Sequence, residues 1–361
     1  MKDLNVNIQG LVSISAKGLS LEQREALQSK LSLFISDTKN YSPDADIILH
    51  PIDLSALEFP KDVLLHSPYK MAAMRYEGKM GMALAYQDTP DIVFVPSKPL
   101  TIYYTPRKGV FGRLYVLLLF AIQLVLRRKN ALLFHGAAAV RDSLCVILTG
   151  LRGSGKSQLF LQMLHDDWHY LSDDKFILHD GQALMFQPLI GISDHHFSLQ
   201  PWLTDQLHGK SKVKYCELSR NIRGATQRLS MHLMPKSIYD IALRYFKPVM
   251  QADVRTLFPQ SELIYQKRID RMVVLHCDQH LHCKRDKSLK SLEDIIAVQK
   301  LVFYSMGPFE RLLYFCMEGE PIPQVSDVIK DNIEKIPLYK MGLPFGEDIE
   351  EGYEKLLRCL T

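Results

Sequence analysis

Gly150-Leu151-Arg152-Gly153-Ser154-Gly155-Lys156-Ser157 lies between an apolar run, Leu144 to Thr149, and a stretch of helix-forming residues, Ser157 to Leu164. The pattern is G-x-x-x-x-G-K-[ST], the P-loop or Walker A motif. Its glycines let the backbone coil around phosphates so that N–H groups point inward at anionic oxygens. Lys156 is expected to reach the β- and γ-phosphates and Ser157 to ligate Mg²⁺, while the helix N-terminus adds its positive partial charge. Strand, loop and helix follow in the order the motif needs, and this predicts an α/β fold with the loop at a strand end.

Upstream, Ala131 to Val140 and Leu144 to Thr149 are separated by Arg141-Asp142-Ser143, which predicts adjacent strands joined by a tight turn. Before them runs Leu114 to Leu126, bounded by Arg113 and Arg127 and interrupted by Gln123; it is too short to span a bilayer and predicts a buried helix. Prolines 96, 99 and 106 and the basic pair Arg107-Lys108 mark Pro96 to Gly112 as a linker. The expected division is therefore an N-terminal α/β accessory domain over 1–105 and a domain carrying the P-loop over 106–361.

Within the first part, Asn7 to Ala16, Ile47 to His50 and Ile92 to Val95 read as strands. Leu21 to Ile35 reads as a helix with Leu27, Leu31 and Phe34 facing a core. Downstream, Arg271 to Leu275 reads as a core strand; no acid stands directly at its end, so it makes a poor Walker B. Leu292 to Cys316 suggests a helical hairpin broken near Gly307-Pro308, and the basic, aperiodic stretch Asp205 to Arg228 reads as a loop.

At 361 residues the chain can bury one large or two modest cores. Its 44 basic against 40 acidic residues, net +4, give no ground for a nucleic-acid or membrane partner. Six cysteines, sparse and mostly in apolar runs, read as reduced thiols and a cytoplasmic location, and Met1 to Asn5 lacks the apolar run of a secretory signal.

A P-loop alone admits GTPases, transport ATPases and kinases. The chain has no Asn-Lys-x-Asp motif and no Leu-Ser-Gly-Gly-Gln segment, which weakens the first two. Transfer of phosphate to a hydroxyl needs one group to take a proton and another to hold the metal. Asp173 and Asp174, in Tyr170-Leu171-Ser172-Asp173-Asp174-Lys175-Phe176-Ile177, are expected at the end of a short strand beside the loop. Adjacent carboxylates repel unless a cation offsets them, and a Mg²⁺-phosphate site supplies that reason. Asp166-Asp167 read instead as solvated loop acids. His135-Gly136 belongs to the strand region preceding the loop.

Taken together, Phe134-His135-Gly136-Ala137, Ile147 to Gly150, Gly155-Lys156-Ser157 and Leu171-Ser172-Asp173-Asp174 resemble the catalytic core of HPr kinase/phosphorylase and its relatives. His135 precedes Gly150 by fifteen residues, and Asp173 and Asp174 follow Lys156 by seventeen and eighteen, as in that family. The match covers roughly 131 to 178. It implies an HPr-kinase-like P-loop kinase core with a helical C-terminal part, ATP and Mg²⁺ as cofactors, and transfer of the γ-phosphate to a hydroxyl. On the family pattern Gly150 through Ser157, with Gln158, bind the nucleotide. Lys156 holds phosphate, Ser157 and Asp173 serve the metal, Asp174 takes the acceptor proton and His135 supports the site.

The chain departs from the pattern at Arg152, where the bifunctional enzymes usually carry serine, and at Gln158, where they often carry glutamate. Asn221-Ile222-Arg223-Gly224 is similar in letters to a later family segment but lies too far downstream without an insertion. The N-terminal extension and the divergent C-terminal half look more like the lasso-peptide precursor kinases. These departures imply an acceptor other than HPr, a peptide, protein or small molecule, and the resemblance also implies a possible homo-oligomer. A regulatory nucleotide-binding protein, or an ATPase without phosphotransfer, stays open beside the kinase.

Other signals carry less. His276 to Cys283 packs three histidines and two cysteines into eight residues. Its spacing does not fit the usual pairing of C-x₂₋₄-C with H-x₃₋₅-H, no second cluster completes it, and a zinc site is not expected. His195-His196 fit a surface turn or the acceptor pocket. Arg152, Arg255, Arg268 and Arg271 are candidate cations for the transferred phosphoryl group.

Overall fold

The apolar runs on either side of Arg141-Asp142-Ser143 become neighbouring antiparallel strands, and the second feeds the glycine loop. The computed structural model describes residues 2–31, 34–36, 44–60, 70–85, 89–107, 109–193, 196, 199–200, 202–203, 249–286, 288, 290–302, 316, 322–344 and 349–360. In chain order its first elements are β1 (Lys2–Ile8), β2 (Val12–Leu19), α1 (Leu21–Leu31), β3 (Ile35–Ser36), β4 (Ile47–Pro51), β5 (Lys70–Tyr76), β6 (Lys79–Ala85), β7 (Pro90–Val95), β8 (Leu100–Tyr104), α2 (Val110–Arg128) and β9 (Ala131–His135). Next come β10 (Ala137–Arg141), β11 (Leu144–Gly150), α3 (Lys156–His165), β12 (His169–Ser172), β13 (Lys175–His179), β14 (Gln182–Met185), β15 (Leu189–Ser193), β16 (Val249–Asp253) and α4 (Val254–Leu257). Then β17 (Gln266–Arg268), β18 (Arg271–Cys277), β19 (His282–Asp286), α5 (Lys290–Val302), α6 (Val325–Ile333), β20 (Leu338–Leu343) and α7 (Ile349–Leu360) complete the order.

The chain is a mixed α/β protein with several sheets. It forms two compact units, each drawn from three stretches: 1–134, 177–187 and 296–335 in the first, and 135–176, 188–295 and 336–361 in the second.

In the first unit an eight-stranded sheet has the order β3-β1-β2-β4-β8-β7-β6-β5. The β2–β4 and β4–β8 pairs are parallel and the others antiparallel. Helix α2 joins the core of this unit through Leu114, Leu117, Leu118, Phe120, Ile122 and Leu124, all buried. Each such side chain contributes roughly 1.5–3 kcal/mol relative to exposure. Length and composition alone would let α2 cross a membrane, but most of it is covered by protein. Its polar interruption is satisfied: the Leu133 amide donates to Gln123 Oε1 (2.7 Å) and Gln123 Nε2 donates to the Leu133 carbonyl (3.5 Å).

Three expectations for this part of the chain change. Asn7 to Ala16 is not one strand but the hairpin of β1 and β2, turning at Gln9 (φ 53°) and Gly10 (φ 71°), the left-handed pair that suits a tight hairpin turn. The Leu21 to Ile35 helix stops at Leu31, and Ile35 enters β3. Pro96 to Gly112 holds β8, whose Leu100, Ile102 and Tyr104 alternate inward, and Arg107 and Arg113 both pair with buried Asp91. A segment with a buried face and a two-arginine clasp is core, not linker.

The second unit is built on a six-stranded sheet of order β12-β10-β11-β18-β20-β19. The central β11–β18 and β18–β20 pairs are parallel, which agrees with the expected core strand at Arg271 to Leu275. Helix α7 packs on α3, burying Ile349, Tyr353, Leu356 and Leu360 at helical spacing. The Ala131 to Val140 run is divided at Gly136 into β9 and β10. Asp205 to Arg228 with Asn221 to Gly224, the Gly307-Pro308 break, and His195 lie outside the described residues.

Candidate functional site

Strand β11 is almost wholly buried and ends at Gly150, which pairs with Leu275 of β18. A Cβ at position 150 would sit 2.5 Å from the Leu275 carbonyl oxygen and 2.6 Å from Ser154 Oγ, so glycine is required for the loop to close against the strand. The chain then passes through Gly153 (φ 88°) and Gly155 (φ 85°), and α3 begins at Lys156. Gly155 is the N-cap and offers no side chain to the first amides of α3. Helix amides left uncapped in this way are available to an anion. Ser154 is 4% exposed, and its Oγ finds no hydrogen-bond partner among the described residues. A glycine-walled loop with a buried free hydroxyl and uncapped helix amides fits a phosphate.

Behind the loop, Lys156 Nζ lies 2.8 Å from His135 Nε2. An ammonium can only donate, so Nε2 is the acceptor and the ring proton sits on Nδ1. That nitrogen is 3.0 Å from Asp174 Oδ1, and Asp174 Oδ2 is also held by Lys175. Backbone contacts fix the same pair: the Gly136 amide donates to the Asp174 carbonyl (3.1 Å) and Thr149 Oγ1 donates to the His135 carbonyl (3.0 Å). Lys156, His135, Asp174 and Lys175 thus form one connected chain of polar contacts.

Asp173 is turned elsewhere. It is 6% exposed, and its Oδ2 accepts the Gly191 amide of β15 at 2.8 Å. Asp174 is 55% exposed. Their protonation differs accordingly. Burial pushes the Asp173 carboxyl up to about 6, against the pull of the Gly191 amide and the Lys156 charge. For Asp174 desolvation acts upward too, but the His135 hydrogen bond and the Lys175 and Lys156 charges hold it far below the usual carboxylate range. Burial lowers His135, with Lys156 acting the same way and Asp174 opposing, so the ring is neutral. Burial also lowers Lys156, while both aspartates support its charge. The cluster therefore offers a cation next to the loop, an exposed carboxylate that stays ionised, and a buried carboxyl that titrates near neutrality.

The remaining candidates are scattered. Leu151 and Arg152 are exposed at the loop tip, Ser157 is the second residue of α3, and the Gln158 carbonyl accepts from Gln200 Nε2 at 2.9 Å. Arg255 is paired with Asp253 (2.6 Å), Arg268 is exposed on β17, and Arg271 lies at the opposite end of β18 from Leu275. Arg271, the first residue of β18, is four residues from Leu275, about 13 Å along a strand. His196 is buried. Asp166 is exposed, as expected of a solvated acid, and it also receives Arg141 Nη1 (2.9 Å) and the Tyr353 hydroxyl, which fastens α7 to the end of α3. Sequence reasoning missed Lys175 and Gly191. The signal for Lys175 was its place directly after two acids, whereas Gly191 is set by tertiary contact alone.

No family model and no curated protein matches the chain. Among solved structures, the Hpr(Ser) kinase/phosphatase from Coxiella burnetii is similar at 12% identity with a TM-score of 0.26, over 62% of this chain and 93% of that one. So low a score carries no inference about this chain's fold or chemistry.

Proposed function

We propose that the chain is an ATP- and Mg²⁺-dependent kinase of HPr-kinase-like type that moves a γ-phosphate to a hydroxyl of a peptide, protein or small molecule. The observation that carries this reading is the contact chain from Lys156 through neutral His135 to ionised Asp174, next to an uncapped glycine loop. Gly150 to Ser157, with Gln158, would wrap the phosphates, and Lys156 would neutralise their charge. Ser157 would hold Mg²⁺, which would screen the phosphate oxygens during transfer, and Asp173, buried and bonded to the Gly191 amide, would join it only by turning its carboxylate toward the loop. Asp174, exposed and ionised, would take the acceptor's proton as its oxygen bonds to phosphorus and the β–γ bridging bond breaks, releasing ADP. His135 fixes the orientation of Asp174 and parks Lys156 between turnovers.

One observation favours a second reading. Both carboxylate oxygens of Asp174 are held, Oδ1 by His135 Nδ1 at 3.0 Å and Oδ2 by Lys175, which makes it a weak base and suits a protein that binds nucleotide without passing phosphate on. Incubation with γ-labelled ATP, Mg²⁺ and cell extract separates the two. Label on a peptide, protein or metabolite supports the kinase; bound nucleotide with no labelled acceptor, or label only in inorganic phosphate, rejects it.

A further inference from the structure

His276 at the end of β18 and His282 at the start of β19 both pair with Gly342 of β20. Strand β20 lies between the other two, so the three residues form one row across the sheet, and the two histidines point to the same face. Two such positions would ordinarily be kept apart by the middle side chain. Here the middle residue has none: a Cβ at position 342 would meet His282 Cε1 at 2.5 Å and Asp278 Cβ at 2.7 Å. The imidazoles lean over the glycine, with ring centroids 5.4 Å apart. Asp278, anchored by its amide to the Leu343 carbonyl (3.1 Å), closes the third corner.

The geometry points to a site for one divalent transition-metal ion on His276, Asp278 and His282. One donor atom from each of the three lies within 4.8 Å of the others. Asp278 Oδ2 is 3.4 Å from His276 Nε2 and 3.8 Å from His282 Nδ1. Bonds of about 2.0–2.1 Å in a tetrahedral site put neighbouring donors about 3.3–3.4 Å apart, so the first distance already fits and the second closes with a small ring rotation. His282 Nδ1 also sits 3.1 Å from the His280 carbonyl oxygen, and the ion would take that nitrogen's lone pair in place of a proton.

Two imidazoles and one carboxylate suit Zn²⁺, Co²⁺ or Ni²⁺, and they suit Mg²⁺ or Ca²⁺ poorly, since those ions take oxygen donors. The neighbouring cation, Lys340, is paired with Asp294 at 3.1 Å and so is partly neutralised. The three side chains are 29%, 35% and 33% exposed, leaving room for an ion to enter and for a water as fourth ligand. Between the first two ligands, Cys277 Sγ donates to the Gly153 carbonyl at 3.5 Å, so a loaded site would brace a residue that touches the glycine loop.

The test is titration of the chelator-treated, tag-free chain with Co²⁺, read by visible d–d absorption, followed by Zn²⁺ displacement. The expected result is one Co²⁺ per chain, displaced by Zn²⁺ and not by Mg²⁺. His276→Gln and His282→Gln should each weaken binding by at least about tenfold, and Gly342→Ala should do the same by pushing the His282 ring aside. Circular dichroism establishes that each variant is folded. Since β19 is an edge strand, His282→Gln gives a folded variant even if a change in β18 does not. Absent binding by the parent chain, binding that Mg²⁺ displaces equally well, or binding undiminished in His282→Gln would each overturn the site.

Discussion

Lys156 Nζ and His135 Nε2 stand 2.8 Å apart although twenty-one residues separate them in sequence. The contact exists because β10 pairs antiparallel with β11, Ala137 opposite Leu148, so the residue before Gly136 comes alongside the start of the glycine loop, with Thr149 Oγ1 holding the His135 carbonyl in place. It makes the histidine an acceptor toward the loop lysine and a donor toward Asp174, and the first prediction follows from that double role.

Replacing His135 by alanine removes the donor that helps hold Asp174 ionised. Phosphotransfer should fall roughly tenfold or more in kcat, while nucleotide binding measured by calorimetry changes little. The acid limb of the pH–rate profile should move to higher pH, because the Asp174 carboxyl loses its strongest stabilising partner. A profile that keeps its shape while only the KM for nucleotide rises would show that His135 serves binding instead.

Asp174→Asn keeps the shape of the side chain and discards the base. Loss of about 10²–10⁴-fold in kcat is expected, with ATP still bound. Full activity in this variant would remove Asp174 from the chemistry, and loss of ATP binding would recast it as part of the cradle.

Gly150→Ala places a methyl group against the Leu275 carbonyl and Ser154 Oγ. Backbone cannot yield as a flexible side chain can, so a destabilisation of about 1–3 kcal/mol is expected, together with weaker nucleotide binding. Urea unfolding and a fluorescent-nucleotide titration measure the two effects. An alanine variant that matches the parent in both would contradict the close approach.

Much of the candidate site is legible in the sequence because it is built from short-range signals. The glycine spacing, the apolar run before it and the helical residues after it are local, and the Asp173-Asp174 pair follows a short strand. What stayed hidden depends on pairing between distant segments. Gly191 reaches Asp173 only because β15 lies where it does, and the roles of the two aspartates diverge through burial that no spacing reveals. The histidine run from 276 to 283 lacked a partner in sequence because the residue that makes it a site is a glycine sixty positions beyond His282. Pro96 to Gly112 misled in the opposite way: its prolines suggest a linker, while its alternation over Leu100, Ile102 and Tyr104 belongs to a sheet.

Burial of Asp173 makes a prediction about stability that is independent of any reaction. Its folded carboxyl titrates at about 6 against an ordinary value of 3.8, so the folded state holds the proton more tightly than the unfolded chain. A raised carboxyl favours the fold below about pH 4, and that favour is lost as pH rises through about 6. The difference of 6 − 3.8, about 2 units, amounts to about 3 kcal/mol once the group is fully ionised. Asp173→Asn stays neutral at every pH, and its amide oxygen can still accept the Gly191 amide. The variant should therefore match the parent near pH 4 and become more stable than it by up to about 3 kcal/mol above pH 7, measured by urea unfolding across that range. Asp174 shifts in the other direction, losing stability as pH falls below about 4, and it is present in both proteins, so it cancels in the comparison. A stability difference that stays flat with pH, or shrinks as pH rises, would mean that Asp173 is already ionised at low pH and that its buried carboxylate is matched by a cation in the fold.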